Sequence, residues 1–399
     1  MRCLKLSTVV LGVTGGIAAY KALDIVSKLK KKNIDVHVIM TKAASKFVTP
    51  LSFQALSQNY VTIDMFAEPK RFEIRHISLA ERADAFLIAP ASANIIGKIA
   101  NGIADDMLST TVMATKSPVL IAPAMNTNMY ENPIVQKNIA FLKSLGYYFI
   151  EPESGRLACG AIGKGKLADT ESIVDLTDML LCKKKDLKGK KVLITAGPTR
   201  EDIDPVRYIT NRSTGKMGYA IAKAARDRGA DVILISGPVN IKAPYGVKHV
   251  NVYSAEEMYN AVLEYFDSTD ILIKSAAVAD YKPLNKSNIK IKKSDADLYI
   301  ELTRNKDILY EIGKIKKHQI VVGFAAETND LIENAKAKIM KKNLDYIVAN
   351  DVTLKQSGFG SDNNTVKIID KHGNITEYPN MPKEEVAHEI FNLILKNER

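Results

Sequence analysis

The same local pattern begins twice in this chain, once near the N-terminus and again near the middle. Residues 9–21 read VVLGVTGGIAAYK, an apolar run followed by a glycine-rich turn and a helix-like segment. From Lys191, KVLITAGPTRE repeats the run and the turn, and STGKMGYAIAKAARDRG supplies the helix-like segment. A strand that feeds a glycine turn and a helix N-terminus leaves backbone N–H groups free to hold phosphate. The pattern therefore predicts two α/β units, each with a nucleotide-type site.

Length and composition agree with this prediction. The chain has 399 residues, of which 46% are hydrophobic and 25% charged. At roughly 100–200 residues per domain, this predicts two or three domains with sizeable cores. No apolar run reaches the ~18 residues that cross a bilayer, and we interpret the apolar N-terminal stretch as a buried strand rather than a signal peptide. We therefore expect a cytoplasmic protein with no membrane partner.

The net charge of +11 raises the question of nucleic-acid binding. The lysines are scattered over predicted helix faces and linkers, without the interleaved aromatic residues of a single-strand binder. We expect a lysine-rich solvated surface that steers anionic substrates, and no nucleic-acid partner. The three cysteines, Cys3, Cys159 and Cys182, form no CxxC pair, which disfavours a zinc site or a disulfide framework.

Buried strands alternate with helical patterns in both halves, which predicts two doubly wound, Rossmann- or flavodoxin-like parallel sheets. In the first half, the predicted strands are 8–13, 36–41, 85–89 and 119–122. In the second half, they are 191–196, 231–236, 247–252, 270–275, 320–324 and 346–349. Helices are predicted at 216–228, 255–266, 331–342 and 383–395, and an edge hairpin at 365–370 and 375–378. The lysine-rich run 182–190 is typical of a linker between one domain of residues 1–181 and another of residues 191–399.

The first glycine turn does not match a dinucleotide site. Such a site has the spacing GxGxxG and an acidic residue at the end of the second strand, which holds the ribose. Here residues 12–16 read GVTGG, and the second predicted strand ends in MTK at 40–42. The missing carboxylate argues against NAD and favours a mononucleotide such as FMN.

Further motifs follow the predicted strands of the first half. PASAN at 90–94 and PAMNTNM at 123–129 each come directly after a strand, where open α/β sheets bind ligands. ACG at 158–160 then leads into GKGK at 163–166, which we interpret as a mobile glycine-rich segment. A lone cysteine is usually a small core residue, but the neighbouring glycines favour a functional loop at Cys159.

These motifs, together with RHISLA around His76, resemble in content and order those of the flavin-dependent cysteine decarboxylases, specifically phosphopantothenoylcysteine decarboxylase. The resemblance extends over residues 5–180. It implies the fold of that family and FMN as cofactor, bound by Gly15, Gly16, Ile17, Thr41, Ser92 and Asn94. It also implies that His76 assists oxidative decarboxylation, that Asn126 holds the substrate carboxylate and that Cys159 protonates the enethiolate.

Two positions depart from that family. Lysine stands at Lys166 where arginine is usual, and isoleucine stands at Ile95 where threonine is usual. Lysine keeps the charge but loses the bidentate fork of a guanidinium group. The anion contact near Lys166 is therefore expected to differ in detail.

The second unit contains a GK dipeptide that does not belong to a P-loop. The upstream glycine spacing is wrong, and Met217 stands where serine or threonine is required. AAVADY places Asp280 at the carboxyl end of a strand, and KIKK at 290–293 is a basic run. Lys338 and Lys342 lie four residues apart on one helix face. One carboxylate near several cations suits a metal–triphosphate.

AGPTREDIDPVRYITNRSTGKMG, AAVADY, KIKK, VGFAAET and KKNLDYIVAND resemble, in that order, the motifs of phosphopantothenate–cysteine ligase across residues 191–395. The resemblance to the bacterial form implies CTP and Mg²⁺, with the substrate carboxylate activated as an acyl-cytidylate that cysteine captures as an amide. It implies that Lys290 stabilises charge at the α-phosphate, that Asn211 acts on the acyl intermediate and that Asp280 binds the nucleotide or its metal. The implied CTP-binding residues are Lys274, Ser275, Ala276, Asp280, Lys290, Asn305, Lys306, Asp307, Ile308, Phe324, Lys338 and Lys342. Lys306 replaces the usual proline of that motif, which concerns only the rigidity of the local turn.

Together the two resemblances imply a bifunctional enzyme that uses 4'-phosphopantothenate, cysteine and CTP as small-molecule substrates. They also imply a homo-oligomer with trimeric decarboxylase units and dimeric ligase units. Two alternatives stay open on the sequence alone. One is a flavin-dependent peptidyl-cysteine decarboxylase with an accessory nucleotide-binding domain, and the other is a basic nucleic-acid or nucleotide-binding regulator.

Overall fold

The chain divides into two compact units, Met1–Lys183 and Lys184–Arg399, each of which has its own sheet and cores. The computed structural model describes residues 7–66, 73–156, 160, 162–293, 297–327, 331–351 and 360–397. In this part of the chain, no helix combines the length and the apolar composition that a membrane crossing requires.

A five-stranded parallel sheet forms the centre of the first unit, in the order β2–β1–β3–β4–β5. Its strands are β1 (Thr8–Val13), β2 (Asp35–Met40), β3 (Ala85–Ala91), β4 (Val119–Pro123) and β5 (Tyr148–Phe149). A separate antiparallel hairpin pairs β6 (Glu153–Arg156) with β7 (Ile162–Lys166). The helices are α1 (Lys21–Lys31), α2 (Pro50–Ser57), α3 (Arg75–Arg82), α4 (Ala93–Ala100), α5 (Met107–Ala114), α6 (Thr127–Glu131), α7 (Pro133–Ser144) and α8 (Thr170–Leu181).

Helices cover both faces of this sheet, because the strands are apolar on both sides. In β1, Val9 and Leu11 pack into one core with α1 and α8, whereas Val10 packs into the other with α4, α5 and α7. Every residue of β1 is buried, as expected for a central strand of a parallel sheet. The doubly wound fold predicted for the first half is confirmed.

The second unit contains an eight-stranded sheet in the order β12–β11–β8–β13–β16–β17–β18–β19. Its strands are β8 (Lys191–Ala196), β11 (Asp231–Ser236), β12 (Lys248–Asn251), β13 (Ile271–Lys274), β16 (Ile320–Glu327), β17 (Tyr346–Asp351), β18 (Asn363–Asp370) and β19 (Ile375–Pro382). Two short antiparallel pairs lie outside it, formed by β9 (Arg200–Asp202) with β10 (Tyr208–Thr210) and by β14 (Tyr281–Pro283) with β15 (Leu302–Arg304). The helices are α9 (Lys216–Asp227), α10 (Ala255–Phe266), α11 (Ile308–Ile315), α12 (Leu331–Lys342) and α13 (Lys383–Asn397).

The first six strands of this sheet are parallel, and β18 and β19 add an antiparallel hairpin at one edge. One core lies under α9 and α13, and the other under α10, α11 and α12. The second doubly wound sheet and its edge hairpin are therefore as predicted.

One sequence-based expectation needs correction. The segment 163–166 was expected to be a mobile glycine-rich stretch, but it lies within β7 and pairs with β6. The lysine-rich run 182–190 is predicted to be a linker, and within it Leu187 is fully buried in a core of the second unit. Asp186 also forms an ion pair of 2.7 Å with the buried Arg228, which directly follows the last residue of α9.

Candidate functional sites at the carboxyl ends of two sheets

Thr14 ties the glycine turn after β1 to the turn after β3. Its hydroxyl donates to the Pro90 carbonyl oxygen at 2.7 Å and accepts from the backbone N–H of Ser92 at 2.9 Å. Both turns leave the carboxyl ends of neighbouring strands, where open α/β sheets bind ligands. Gly15 is required here, because a Cβ at this position would lie 2.5 Å from the Cβ of Ala43. Sequence reasoning missed Thr14, although it stands within the predicted turn.

Two cavities open at this edge of the first sheet, with volumes of about 510 and 460 Å³. They share a strip of residues formed by Thr14, Gly15, Ser92, Ala93 and Met129. The larger cavity also contains Thr41 and Asn94 in its lining. The smaller cavity is lined by Gly16, Ile17 and Asn126. The structure therefore brings all the predicted flavin-binding residues and Asn126 around one cleft.

The two parts of the cleft differ in charge. The larger cavity is lined by Asp64, Asp105 and Asp106 and by one lysine, Lys42. The smaller cavity contains Lys21, Arg156 and Lys166, and none of its described lining residues is a carboxylate. This part of the cleft therefore suits an anionic group. Sequence reasoning singled out Lys166 but missed Lys21 and Arg156, of which Lys21 ends the first glycine motif.

The hairpin β6–β7 packs tightly against the turn that carries Asn126. The backbone N–H of Met125 donates to the carbonyl oxygen of Gly165 at 3.0 Å. Gly165 has φ +152°, and a Cβ there would collide with the carbonyl oxygen of Met125. The side chain of Asn126 caps α6 by accepting from the backbone N–H of Asn128 at 2.9 Å. Its position is thus fixed both by the helix that follows and by the hairpin.

One of the predicted catalytic residues, His76, is not among the described residues that line this cleft. His76 is half-buried on α3 and lines neither cavity as far as the described residues go. Cys159 lies outside the described residues. Ile95, where the resembling family has threonine, is 1% exposed and packs in the apolar core. Ile95 also contributes to the lining of the larger cavity, where the family's threonine would offer a hydroxyl.

In the second unit, the segment AAVADY crosses the carboxyl edge of the sheet. The Thr195 hydroxyl accepts from the backbone N–H of Ala276 at 3.2 Å, and the Thr199 hydroxyl accepts from that of Ala279 at 3.0 Å. Threonines on β8 and in its following turn therefore hold the segment from one side. Neither threonine was predicted, although both lie in the second glycine motif.

Two predicted residues hold the same segment from the other side. The Asn211 amide donates to the carbonyl oxygens of Ala277 and Val278 at 3.2 and 3.0 Å. The side-chain amide of Asn305 donates to the Ala279 carbonyl oxygen at 2.9 Å. The backbone N–H of Asn305 donates to the Asp280 carbonyl oxygen at 2.8 Å. Asn211, Asn305 and Asp280 are thus brought together around one backbone segment.

Lysines and one aspartate meet at the end of β13. The Lys342 ammonium lies 2.8 Å from an Asp307 carboxylate oxygen. Burial works to raise the pKa of Asp307, but the hydrogen bond and charge of Lys342 outweigh it, so that the pKa lies below its ordinary value. Burial, together with the charges of Lys342 and Lys338, lowers the pKa of Lys274 to about 8, against the opposing effect of Asp307 and Asp280. These residues therefore form a compact, net positive cluster.

The remaining predicted residues occupy different surroundings. Ser275 follows β13 directly, and its backbone N–H donates to the Thr195 carbonyl oxygen at 3.2 Å. Phe324 is half-buried on the neighbouring strand β16, whereas Ile308 is buried in an apolar core at the start of α11. Lys306 points to Glu256, at 3.6 Å, and over the Tyr259 ring, at 4.7 Å. Its ammonium is therefore engaged away from the Lys342–Asp307 pair.

Lys290 and Asp280 are both exposed. Within the described ranges, no group of three or more histidine, cysteine, aspartate or glutamate side chains could hold a metal ion. A single carboxylate such as Asp280 is nevertheless an appropriate donor for Mg²⁺, which commonly binds through one or two carboxylates and the phosphates of a substrate.

The chain matches two protein families. Residues 187–397 match the family described as DNA/pantothenate metabolism flavoprotein C-terminal domain, and residues 1–182 match the family described as Flavoprotein. The chain is also 45% identical to a solved C-terminal domain of a coenzyme A biosynthesis bifunctional protein CoaBC. That comparison covers 53% of this chain and 96% of the solved chain, with a TM-score of 0.46.

Relatives of known name match nearly the whole chain. The coenzyme A biosynthesis bifunctional protein CoaBC of Bacillus subtilis (strain 168) is 53% identical over 386 residues, which cover 96% of this chain and 95% of that protein. The protein of the same name from Haemophilus influenzae is 45% identical over 389 residues, which cover 97% of each chain. The chain therefore belongs to the family of coenzyme A biosynthesis bifunctional proteins CoaBC.

Proposed function

We propose that residues 1–181 form an FMN-dependent phosphopantothenoylcysteine decarboxylase domain and that residues 191–399 form a CTP-dependent phosphopantothenate–cysteine ligase domain. By family, the chain is an enzyme of coenzyme A biosynthesis with a decarboxylase and a ligase activity. The observation that carries the proposal is the similarity over 96% of the chain, because it includes both units. An accessory second domain without its own reaction would not account for that coverage.

The cleft of the first unit suits FMN. It offers hydroxyl and amide groups from Thr41, Ser92 and Asn94 and backbone groups from the glycine turn, at the sheet edge where such ligands bind. The match of residues 1–182 to the Flavoprotein family supports the same cofactor. When bound, FMN supplies the two-electron chemistry that oxidises the thiol-bearing carbon and later reduces it.

The residues of this chain would bind the substrate and move protons. Asn126 holds the substrate carboxylate that is lost as CO₂, and Lys166 and Arg156 attract an anionic group in the same cavity. Cys159 donates the proton in the final step, for which a thiol with an ordinary pKa near ~8.5 is suitable. His76 assists the decarboxylation.

We include a homo-oligomer in the proposal because His76 is not among the described residues that line the cleft of its own chain. A second copy would supply it, in the trimeric arrangement that the resemblance implies for this unit. Large apolar side chains are exposed in the same unit, among them Ile134 and Ile162, which are 70% and 82% exposed. In the second unit, Leu298, Tyr299 and Leu302 are 54%, 87% and 48% exposed, and a run of exposed apolar residues suits the dimeric arrangement implied there.

In the second unit, the carboxylate of 4'-phosphopantothenate would attack the α-phosphorus of CTP, and the bond to the β-phosphate oxygen would break with release of pyrophosphate. Lys290 stabilises the charge at the α-phosphate, and the cluster of Lys274, Lys338 and Lys342 binds the anionic nucleotide. Asn211 then acts on the acyl-cytidylate while the cysteine amine attacks the acyl carbon and CMP leaves. Asp280 would hold Mg²⁺ together with the phosphates.

The test uses the purified full-length protein. We expect it to be yellow or to take up FMN with a flavin absorbance band, and to release pyrophosphate from CTP only when 4'-phosphopantothenate is present. Adding cysteine should give phosphopantothenoylcysteine, and then 4'-phosphopantetheine and CO₂. Protein that neither contains nor takes up FMN would contradict the first assignment, and equal activity with ATP would contradict the choice of CTP. We place these reactions in the cytoplasm.

A further inference from the structure

The loop that carries Lys290 is attached by its backbone to the β9–β10 hairpin. Lys290 is exposed, so packing of its own side chain does not fix its position. Its neighbour Ile291 makes two hydrogen bonds to residues of the turn between β9 and β10. Its N–H donates to an Asp204 carboxylate oxygen at 3.1 Å, and its carbonyl oxygen accepts from Arg207 at 2.7 Å.

Asp204 is the centre of this attachment. It is 1% exposed, and one carboxylate oxygen accepts from the backbone N–H groups of Val206 and Arg207, both at 2.8 Å. The other oxygen accepts from Nε and Nη2 of Arg207 at 3.0 and 2.6 Å, in addition to the N–H of Ile291. A buried carboxylate with this many charge-assisted partners holds them in one geometry.

The same hairpin leads to the second predicted catalytic residue. β10 ends at Thr210, and Asn211 follows it with its amide fixed to the carbonyl oxygens of Ala277 and Val278. The loop that carries Lys290 is bound to this hairpin through the hydrogen bond between Asp204 and Ile291. Both residues that the ligase reaction needs are therefore held through this hairpin, Lys290 through the contacts of Asp204 and Arg207 with Ile291 and Asn211 through β10.

We propose that Asp204 is a positioning residue of the ligase, which uses the Arg207 pair to hold the backbone at Ile291 and thereby place the Lys290 ammonium at the nucleotide. The proposal rests on the function proposed above for the second unit. Catalysis by charge stabilisation depends on donors held in place before the reaction, and a misplacement of about 1 Å can cost about 100-fold in rate. Loss of Asp204 is therefore expected to slow activation of the carboxylate more than it weakens CTP binding.

The central variant is Asp204→Asn. It keeps one oxygen for the turn, but the amide nitrogen that replaces the other oxygen cannot accept from Arg207 or Ile291. Asp204→Ser is the second variant, because a hydroxyl can still accept within the turn but cannot reach Ile291. The matched control is Lys286→Ala, which removes a 2.7 Å ion pair to Asp202 between the same two segments without touching Ile291.

Two measurements are made on the full-length protein. With 4'-phosphopantothenate, CTP and saturating cysteine, we expect kcat for pyrophosphate release to fall at least about tenfold in both Asp204 variants, with KM for CTP within about twofold of the unmodified protein. In limited trypsin digestion, cleavage after Lys290 and Lys292 should become several-fold faster in both variants. Lys286→Ala should leave both measurements unchanged.

The outcomes separate the two proposals. Variants with unmodified kcat and cleavage rates would overturn the positioning role, and so would a rise in KM with unchanged kcat. A failure of the proposed function would appear differently, as unmodified protein that releases no pyrophosphate while digestion still distinguishes the variants. A variant that failed to fold would lose its thermal unfolding transition, and the remaining variant would then decide.

Discussion

At the residue scale, Lys274 is the residue of the proposed nucleotide site whose pKa differs most from its ordinary value. Burial and the neighbouring ammonium groups of Lys342 and Lys338 lower its pKa to about 8. The free protein therefore loses this positive charge within a pH range that can be reached in a binding experiment. A triphosphate is bound better by the charged form.

We predict that the affinity for CTP falls as the pH rises from 7 to 9, because Lys274 becomes neutral above its pKa of about 8. Lys274→Met should bind CTP about tenfold more weakly at pH 7, as expected for a lost charged hydrogen bond of ~1.5 kcal/mol, and should show a flatter pH dependence. Lys314→Met is the control, since this lysine pairs with Glu311 on α11. Titration calorimetry at several pH values is the measurement, and identical pH profiles for Lys274→Met and the unmodified protein would contradict the prediction.

A second residue-scale prediction concerns Gly165, whose φ of +152° and contact with Met125 leave no room for a side chain. Gly165→Ala should displace β7 from the Asn126 turn, at a cost of about 1–3 kcal/mol for the backbone strain alone. We expect decarboxylation to fall at least about tenfold while ligation is unchanged. Gly97→Ala on α4 is the control, because a Cβ there meets only Asn138 at 3.9 Å. Equal decarboxylase rates in the two variants would count against the prediction.

At the scale of elements, the sequence predicts long buried strands well and short exposed ones poorly. The predicted strands 8–13, 191–196 and 231–236 coincide with β1, β8 and β11, because a continuous apolar run bounded by glycine or charged residues has few other structures available. The pairs β9–β10 and β14–β15 were not predicted. Their strands have three residues each, too few for alternation to be visible, and side-chain contacts such as Asp204 with Arg207 support the first pair.

The residues of the candidate sites also fall into those that the sequence predicts and those that it does not. Residues in turns after central strands, such as Ser92 and Asn126, can be predicted because topology alone places them at one sheet edge. Thr14 and Asp204 could not, because their importance lies in hydrogen bonds to segments distant in the chain. His76 shows a further limit, since it is predicted from a resemblance alone and is not among the described residues that line the cleft.

The element-scale prediction concerns the ion pair between Asp186, which precedes β8, and Arg228, which follows α9. We call this pair the anchor. Arg228 is 1% exposed and donates to both carboxylate oxygens of Asp186, at 2.8 and 2.7 Å. Asp186→Ala would leave a buried guanidinium without its carboxylate and should destabilise the second unit by about 3 kcal/mol in urea unfolding. Lys184→Ala is the control, because this lysine is exposed and its ion pair should contribute less than about 1 kcal/mol. A smaller loss for Asp186→Ala than for Lys184→Ala would contradict this account.

The same anchor predicts a dependence on pH. Burial works to raise the pKa of Asp186, but the hydrogen bonds and charges of Arg228 and Lys184 outweigh it and lower the pKa to about 2. Because the unfolded value is near ~3.9, the ion pair stabilises fully above that value, and its contribution is lost as the pH falls towards 2. Unfolding experiments between pH 2 and 6 should show a shallower loss of stability in Asp186→Ala than in the unmodified protein.

At the scale of the whole molecule, the two reactions are assigned to separate units, so each should survive loss of the other. We predict that Cys159→Ser ligates but forms no 4'-phosphopantetheine, and that Lys290→Gln decarboxylates added phosphopantothenoylcysteine but does not make it. A mixture of the two variants should form 4'-phosphopantetheine from 4'-phosphopantothenate, cysteine and CTP, because the intermediate can pass through solution. Product analysis by mass spectrometry is the measurement. A mixture that stops at phosphopantothenoylcysteine would contradict the independence of the units.

The antiparallel edge of the second sheet has a consequence for how the molecule behaves in a crowded solution. The outermost strand, β19, contains Pro379 and Pro382, which lack a backbone N–H, and its pairing with β18 is irregular between Asn364 and Val366. A strand of this kind is a poor template for adding another strand. We therefore expect this edge of the sheet to resist extension by another strand, which disfavours edge-to-edge aggregation.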